Sequence, residues 1–335
     1  MSAHTWFNRI WYGQPDPPGW LKPFSWLYGL IVRLRRAGYA KHWLRSAALS
    51  RPVIVVGNLT VGGTGKTPLV CWLVGALQQR GYKPGIVTRG YGGSLRNTHR
   101  LQPSDRAETV GDEPLLLLRR TGVPVAVGRD RPVAAQSLIE AGCDVIVSDD
   151  GLQHYALRRR VELAVIDGER GFGNGWLLPA GPLREGPERL AAVTAIVTNG
   201  ILAHSQPFGA DTPVWAMRLE GHEAVSLAGG THRPLKDFAA SPIHAVAGIG
   251  NPQRFFDLLT AQGLSVLPHP LPDHARIEAR DIRFGDAYPV LMTEKDAVKC
   301  GNLAGPEHWY VPVSAVFASG GGERLLDSVV RAING

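Results

Sequence analysis

From residue 52 onward the chain alternates short apolar runs with stretches in which apolar positions recur every three or four residues, predicting strands and helices in turn. Pro52-Val53-Ile54-Val55-Val56-Gly57 reads as a buried strand, residues 69–80 as a helix closed by Gly81, and 85–88 as the next strand. The same pattern gives helices at 112–120 and 132–141 and strands at 123–127, 144–148, 161–166 and 195–198. Strands separated by helices imply a parallel sheet covered on both faces, with ligands at the carboxyl ends of its strands. Residues 168–187, rich in Gly and Pro, predict a long ordered loop of the kind that carries function in compact domains. Residues 214–220 and 223–227, separated by Gly221-His222, predict a β-hairpin suited to joining two domains. A second alternating unit follows, with strands at 244–247, 264–267 and 289–293 and helices at 253–262 and 322–333.

The segment before residue 52 has a different pattern. Trp20 to Val32 is apolar and aromatic, shorter than the ~20 residues that span a bilayer, and Arg33, Arg35 and Arg36 follow at once. The formal excess of +7 lies wholly in residues 1–51, where eight Lys/Arg face one acid, Asp16, and the rest of the chain is formally neutral. Aromatic residues favour the headgroup level and arginines favour anionic lipid, so a helix lying on a membrane surface is expected. The alternative is an ordinary helix whose stripe Trp26, Leu27, Leu30, Ile31 and Leu34 is buried. A signal peptide is disfavoured because the basic residues follow the apolar run. A neutral body also argues against a nucleic-acid partner.

Length and composition, 335 residues with 44% hydrophobic and 19% charged, allow two domains and exclude global disorder. Cys71, Cys143 and Cys300 are widely spaced and odd in number, which suggests neither disulfides nor a zinc cluster and fits a reducing, cytosolic compartment.

The chemistry concentrates in Thr60-Val61-Gly62-Gly63-Thr64-Gly65-Lys66-Thr67, between the strand ending near Val56 and the helix starting near Pro68. Glycines let backbone amides converge on phosphate oxygens, Lys66 reaches the β and γ phosphates, and Thr67 can ligate Mg²⁺. Thr60 stands where the common pattern has glycine, but the strand-loop-helix context supports ATP binding. Val145-Ile146-Val147-Ser148-Asp149-Asp150 is an apolar strand ending in two acids, suited to ordering Mg²⁺ beside that loop. The expected architecture is α/β, with a P-loop NTPase-like parallel-sheet domain and a second, smaller α/β domain on a β-hairpin linker. The expected divisions are an N-terminal membrane-surface region at 1–45, the P-loop kinase domain at 46–212, the linker at 213–228 and the C-terminal α/β domain at 229–335. A membrane-associated switch ATPase is the rival reading, but those proteins carry lysine before the paired glycines, where this chain has Val61.

Several further runs resemble one family. Val56-Gly57-Asn58-Leu59 through Pro68, Arg89-Gly90-Tyr91-Gly92-Gly93, Val110-Gly111-Asp112-Glu113-Pro114, Asp149-Asp150-Gly151-Leu152-Gln153-His154 and Pro179-Ala180-Gly181-Pro182-Leu183-Arg184-Glu185 are similar to tetraacyldisaccharide 4'-kinases. Ala247-Gly248-Ile249-Gly250-Asn251-Pro252, Pro272-Asp273-His274 and Thr293-Glu294-Lys295-Asp296 extend the resemblance to about residue 300. It implies a monotopic enzyme on the cytoplasmic face of a Gram-negative inner membrane, with two α/β/α domains on a two-stranded linker. The implied reaction moves the ATP γ-phosphoryl group to the 4'-hydroxyl of a lipid A disaccharide 1-phosphate, giving lipid IVA, with no obligate protein partner.

On the same resemblance Asp112 is the expected base, with His274 orienting it, while the residues alone allow Asp112 to be a helix cap before Glu113-Pro114. Asp149 and Asp150 would order Mg²⁺ and Lys66 would stabilise the transferring group. Arg89, Tyr91, Gln153, His154, Arg184 and Glu185 are expected to line the substrate or nucleotide cleft, because they follow strands or sit in the long loop. Arg158-Arg159-Arg160 fits either lipid phosphate or a solvated turn.

Overall fold

A computed structural model describes residues 3–13, 16–202, 208 and 211–335. Residues 1–2 and 14–15 of the expected N-terminal region, and 203–207, 209 and 210 of the expected P-loop domain, lie outside the described residues.

The chain begins with helices α1 (Ala3–Gly13) and α2 (Lys22–Ala40), the second longer than its apolar run and opened by Pro23, which suits a first helical turn. Ser25 and Gly29 face the body, and a Cβ at Gly29 would meet Leu177 Cδ1 at 2.8 Å. The stripe that could have been core is exposed instead, between 53 and 65% at Trp26, Leu27, Leu30, Ile31 and Leu34, and Trp20 and Phe24 extend it. That exposure contradicts the ordinary-helix alternative.

The body follows as β1 (Val53–Gly57), α3 (Lys66–Gln79), β2 (Pro84–Thr88), β3 (His99–Arg100), α4 (Ala107–Val110), α5 (Asp112–Thr121), β4 (Val125–Val127), α6 (Arg131–Glu140), β5 (Val145–Asp149), β6 (Val161–Asp167), β7 (Ala195–Asn199) and β8 (Val214–Glu220). A second set comprises β9 (Glu223–Ser226), β10 (His232–Pro234), β11 (Ile243–Ala247), α7 (Pro252–Ala261), β12 (Val266–Pro270), α8 (Ala279–Ile282), β13 (Val290–Thr293), α9 (Glu294–Cys300) and β14 (His308–Val311). The chain ends with β15 (Ser314–Phe317) and α10 (Gly321–Asn334).

The first sheet has the order β15-β8-β7-β6-β1-β5-β2-β4-β3, parallel from β8 to β4 with an antiparallel strand at each edge. Its central strands are buried on both faces, as near-continuous apolar runs require. Ile54 and Val56 point to the core under α3 and α5, while Val53 and Val55 point to the core under α6. The second sheet, β10-β9-β14-β13-β11-β12, is smaller and has its own core around Phe238, Phe255, Phe256 and Leu259.

The expected hairpin does not form. β8 pairs with β7 and β15 in the first sheet, whereas β9 pairs with β14 and β10 in the second. Each strand satisfies its backbone groups on a different sheet edge, and Gly221-His222 is the crossing point rather than a turn. The chain crosses back between β14, in the second sheet, and β15, in the first. The terminal helix also departs from the expected 229–335 unit: Leu325, Leu326, Val329 and Ile333 of α10 join the core of the first sheet.

Candidate active site

The phosphate loop runs from Asn58 to Gly65 between β1 and α3, and its backbone requires glycine at two points, with φ of 110° at Gly62 and 94° at Gly65. Side chains from three directions hold it. Asn58 Nδ2 donates to the Gly62 carbonyl at 3.3 Å, Lys66 Nζ donates to Asn58 Oδ1 at 3.2 Å, and Asn199 Nδ2 donates to the Thr64 carbonyl at 3.2 Å. The long loop 168–187 supports it from below: Val61 N donates to the Pro182 carbonyl and Arg184 N to the Leu59 carbonyl. That loop is itself held by α2, since Ser25 Oγ donates to the Leu177 carbonyl at 2.6 Å and Tyr28 Oη to the Arg184 carbonyl at 3.2 Å. From the second unit, Gly250 reaches the loop so closely that a Cβ there would lie 2.8 Å from Gly63 N.

The register Val56↔Asp149 puts the two acids beside this loop. They differ in environment. Asp149 is buried, its Oδ1 has no hydrogen-bond partner, and burial with Glu113 nearby pushes its carboxyl well above the usual carboxylate range. Asp150 is also taken out of water, but Lys66 Nζ at 3.6 Å and Arg184 Nη1 at 3.0 Å outweigh that burial and hold its carboxyl far below the usual range. The buried, unpartnered oxygen of Asp149 fits a hard divalent cation, whose charge would hold the carboxylate ionised, with Thr67 as a candidate companion ligand. Asp150, expected as a further ligand, is already committed to two protein cations. Among the described residues no group of three or more His, Cys, Asp or Glu forms a metal cage.

Across the cleft, Asp112 opens α5 after Gly111, whose φ is 96°. Asp112 Oδ1 accepts from Glu113 N at 2.9 Å, and Oδ2 lies 3.1 Å from His274 Nδ1. Burial opposes ionisation of Asp112, but the His274 hydrogen bond, Lys295 and Lys299 prevail and lower its proton affinity. Burial disfavours the charged His274 ring too, yet the Asp112 hydrogen bond wins and raises its proton affinity. Each partner thus favours the charged form of the other, and the two act as one hydrogen-bonded unit. His274 and Lys66 line the cleft, which Asp112 supports from behind.

One cavity of about 1330 Å³ contains the residues expected in the cleft, Arg89, Tyr91, Gln153, His154, Arg184 and Glu185, together with Val61 to Thr67. Their chemistry divides. Arg89 and Tyr91 are exposed toward the cavity, and the Tyr91 ring sits edge-on to His274 at 4.8 Å. Glu185 is buried and both its oxygens are used, one by Gln153 Nε2 at 3.1 Å and the other by a short contact with Tyr155 Oη, so it shapes the wall. Burial, with Arg131 and Arg159, pushes the His154 imidazole down to about 4. Arg159 donates to the Gly151 and Leu152 carbonyls and pairs with Glu162, which removes it from the basic turn considered above.

Sequence reasoning gave no role to Asn58, Asn199, Glu113, Asp273 or Lys295. The last three converge at the cleft, with Lys295 Nζ 3.1 Å from both Glu113 Oε1 and Asp273 Oδ1. A signal was present for α9, because Thr293 to Asp296 has the Ser/Thr-x-x-acid spacing of a helix cap and Thr293 Oγ1 accepts from Asp296 N at 3.2 Å.

A phosphate loop sharing one cavity with an Asp–His pair fits a P-loop phosphotransferase acting on a hydroxyl. The comparisons agree and narrow the class. A family model for tetraacyldisaccharide-1-P 4'-kinase matches residues 19–331, and the chain belongs to that family. Curated relatives named tetraacyldisaccharide 4'-kinase include those of Alkalilimnicola ehrlichii, 52% identical over 94% of this chain and 95% of that one, and Nitrosococcus oceani, 47% identical over 97% and 94%. The solved "apo" form of LpxK from Aquifex aeolicus in complex with ATP superposes with a TM-score of 0.79 at 27% identity, covering 93% of this chain and 98% of that one.

Proposed function

We propose that this cleft transfers the γ-phosphoryl group of ATP to the 4'-hydroxyl of tetraacyldisaccharide 1-phosphate with Asp112 as the proton acceptor and His274 as its orienting partner. The observation that carries the reading is the Asp112–His274 contact at 3.1 Å, made between the two units and facing the phosphate loop across one cavity. A sugar hydroxyl is a poor nucleophile until a positioned base accepts its proton. His274 fixes the Asp112 carboxylate and favours its ionised form. Lys66, already drawn toward Asp150, turns to the β and γ phosphates when nucleotide enters. Thr67 and Asp149 would hold Mg²⁺, which when bound neutralises phosphate charge. Arg89, Tyr91 and Arg184 present donors to the sugar and its phosphate.

The exposed apolar face of α2, with Arg33 and Arg36 beside it, supports placement on an anionic membrane surface, and the need for ATP supports the cytoplasmic face of the inner membrane. No described helix is long and apolar enough to cross a membrane. The test is transfer of label from γ-labelled ATP to a purified disaccharide 1-phosphate lipid. The wild-type chain labels the lipid and Asp112→Asn does so far more slowly; an unlabelled lipid with wild-type protein rejects the substrate, and undiminished turnover in Asp112→Asn rejects the base.

A further inference from the structure

Asp167 ends β6, which flanks β1 on the side opposite β5, so its carboxylate stands at the same end of the sheet as the phosphate loop. Its side chain is 3% exposed, and Oδ1 accepts from Glu169 N at 3.1 Å, Arg170 N at 3.2 Å and Arg254 Nη2 at 2.8 Å. The first two bonds close the turn after the strand, whereas the third comes from α7 in the second unit. That turn sends Arg170 the other way, and its Nη1 donates to the Gly250 carbonyl at 3.2 Å. Each unit therefore extends one arginine to the other. Between them Gly250 meets the phosphate loop backbone to backbone, where a Cβ would lie 2.8 Å from Gly63 N and 3.5 Å from Gly62 Cα. Tyr12 of α1 backs the arrangement: its ring lies 4.9 Å from the Arg170 guanidinium and its hydroxyl donates to the Val61 carbonyl at 3.4 Å.

We propose that Arg170 and Arg254 are positioning residues for nucleotide binding, a reciprocal clasp that seats the turn 248–251 of the second unit on the phosphate loop. The inference rests on ATP occupying that loop, and not on which hydroxyl receives its phosphate. Ile249, Gly250 and Asn251 line the same cavity as Val61 to Thr67, so the position of this turn sets one wall of the space the phosphates enter. The clasp grips the turn at both ends. Arg170 holds the Gly250 carbonyl, and Arg254, one helical turn further on, ties the start of α7 to Asp167.

The rival role for Arg254 is direct contact with the nucleotide, since its side chain also lines the cavity. Asp167 separates the two. Neutralising that carboxylate breaks a clasp, but it releases a phosphate-binding arginine from a competing partner and leaves its affinity undiminished. The second ion pair of Arg254, to Glu169 Oε2 at 3.7 Å, is too long and too exposed on the acidic side to replace the first. Arg170 gives an independent reading, because it lies outside the cavity wall and reaches the site through the Gly250 carbonyl. Its effect on nucleotide is therefore one of placement.

The experiment measures the Kd of a fluorescent, non-hydrolysable ATP analogue for the full chain without lipid, alongside thermal stability and kcat at saturating ATP. The proteins are wild type, Arg170→Met, Arg170→Lys, Arg254→Met, Asp167→Asn and the double variant Arg254→Met/Asp167→Asn. A charge-assisted hydrogen bond lost from a clasp should raise Kd about tenfold in Arg170→Met, Arg254→Met and Asp167→Asn, with kcat within about twofold of wild type. Arg170→Lys, which keeps a donor for the carbonyl, should bind nearly as wild type does, and the double variant should be no weaker than Arg254→Met. An unchanged Kd in Arg170→Met overturns the proposal, as do multiplicative losses in the double variant or weak binding by Arg254→Met beside normal binding by Asp167→Asn. Parallel loss of affinity, kcat and thermal stability in Arg170→Met overturns it too, since that is the mark of a general packing defect. Arg170→Met and Arg170→Lys decide alone if Asp167→Asn does not fold. A wild-type chain that binds the analogue without labelling the lipid rejects the proposed acceptor, and the Kd series then judges the clasp by itself.

Discussion

Replacing Leu27, Leu30 and Leu34 together by serine isolates the contribution of α2 to membrane binding. The three side chains are 56, 53 and 63% exposed, so the fold already leaves roughly half of each to solvent. Fully burying a leucine contributes about 1.5–3 kcal/mol, and moving the exposed half into the interface therefore contributes about 1 kcal/mol per residue. Losing three such contributions costs about 3 kcal/mol, or roughly a 10²-fold fall in partitioning at 1.4 kcal/mol per decade. The assay is co-sedimentation with vesicles containing anionic lipid, alongside turnover on vesicles and on detergent-dispersed substrate. Binding and vesicle turnover should fall together while detergent turnover and thermal stability stay near wild type, because Ser25, Tyr28 and Gly29 on the opposite face keep the helix docked. A fall in vesicle binding of less than threefold would refute the assignment of this face as the anchor.

Three further outcomes bear on the cleft. Lys66→Ala and Asp150→Asn should each lower kcat on the order of 10²-fold or more, measured at saturating ATP, since the first removes charge from the transferring phosphate and the second frees Arg184 and Lys66 from their anchor. Asp112→Asn and His274→Ala should be strongly non-additive in a double-mutant cycle of kcat, whereas multiplicative losses would mean that the two act separately. Gly250→Ala should raise KM for ATP about tenfold with little effect on folding, because its methyl group would lie 2.8 Å from Gly63 N and push the second unit off the phosphate loop; an unchanged KM would show that this approach is not needed.

The parts of this molecule that could be read from sequence are those whose cause is local. The phosphate loop announces itself through glycines at the positions of left-handed backbone, and β1 and β5 through apolar runs that only a doubly covered sheet tolerates. The linker was misread because the distance from Glu220 to Glu223 is the same for a turn and for a crossing, and the partners that decide it, Ser314 and Tyr310, lie about ninety residues further on. The same non-locality hid the membership of α10, whose apolar stripe fits either core. In the active site, Asp112 and His274 were found but the lysines beside them, Lys295 and Lys299, were given no role, since they come from a helix of only seven residues. Nothing in the text of a sequence distinguishes an Asp149 with a free oxygen from an Asp150 held by two cations.

The route of the chain between the sheets has a consequence for how the molecule is built. Glu220, where the chain leaves the first sheet, and Ser314, where it comes back, are already antiparallel partners on adjacent strands. Everything between them is therefore an excursion from what is topologically a hairpin, with β8 and β15 as its arms and an entire sheet in place of its tip. The first unit is complete only once β15 and α10 have been added, so its core draws on both ends of the chain. The inserted unit is tethered by both of its ends at neighbouring positions of one sheet, a double attachment that a unit strung on a single linker lacks.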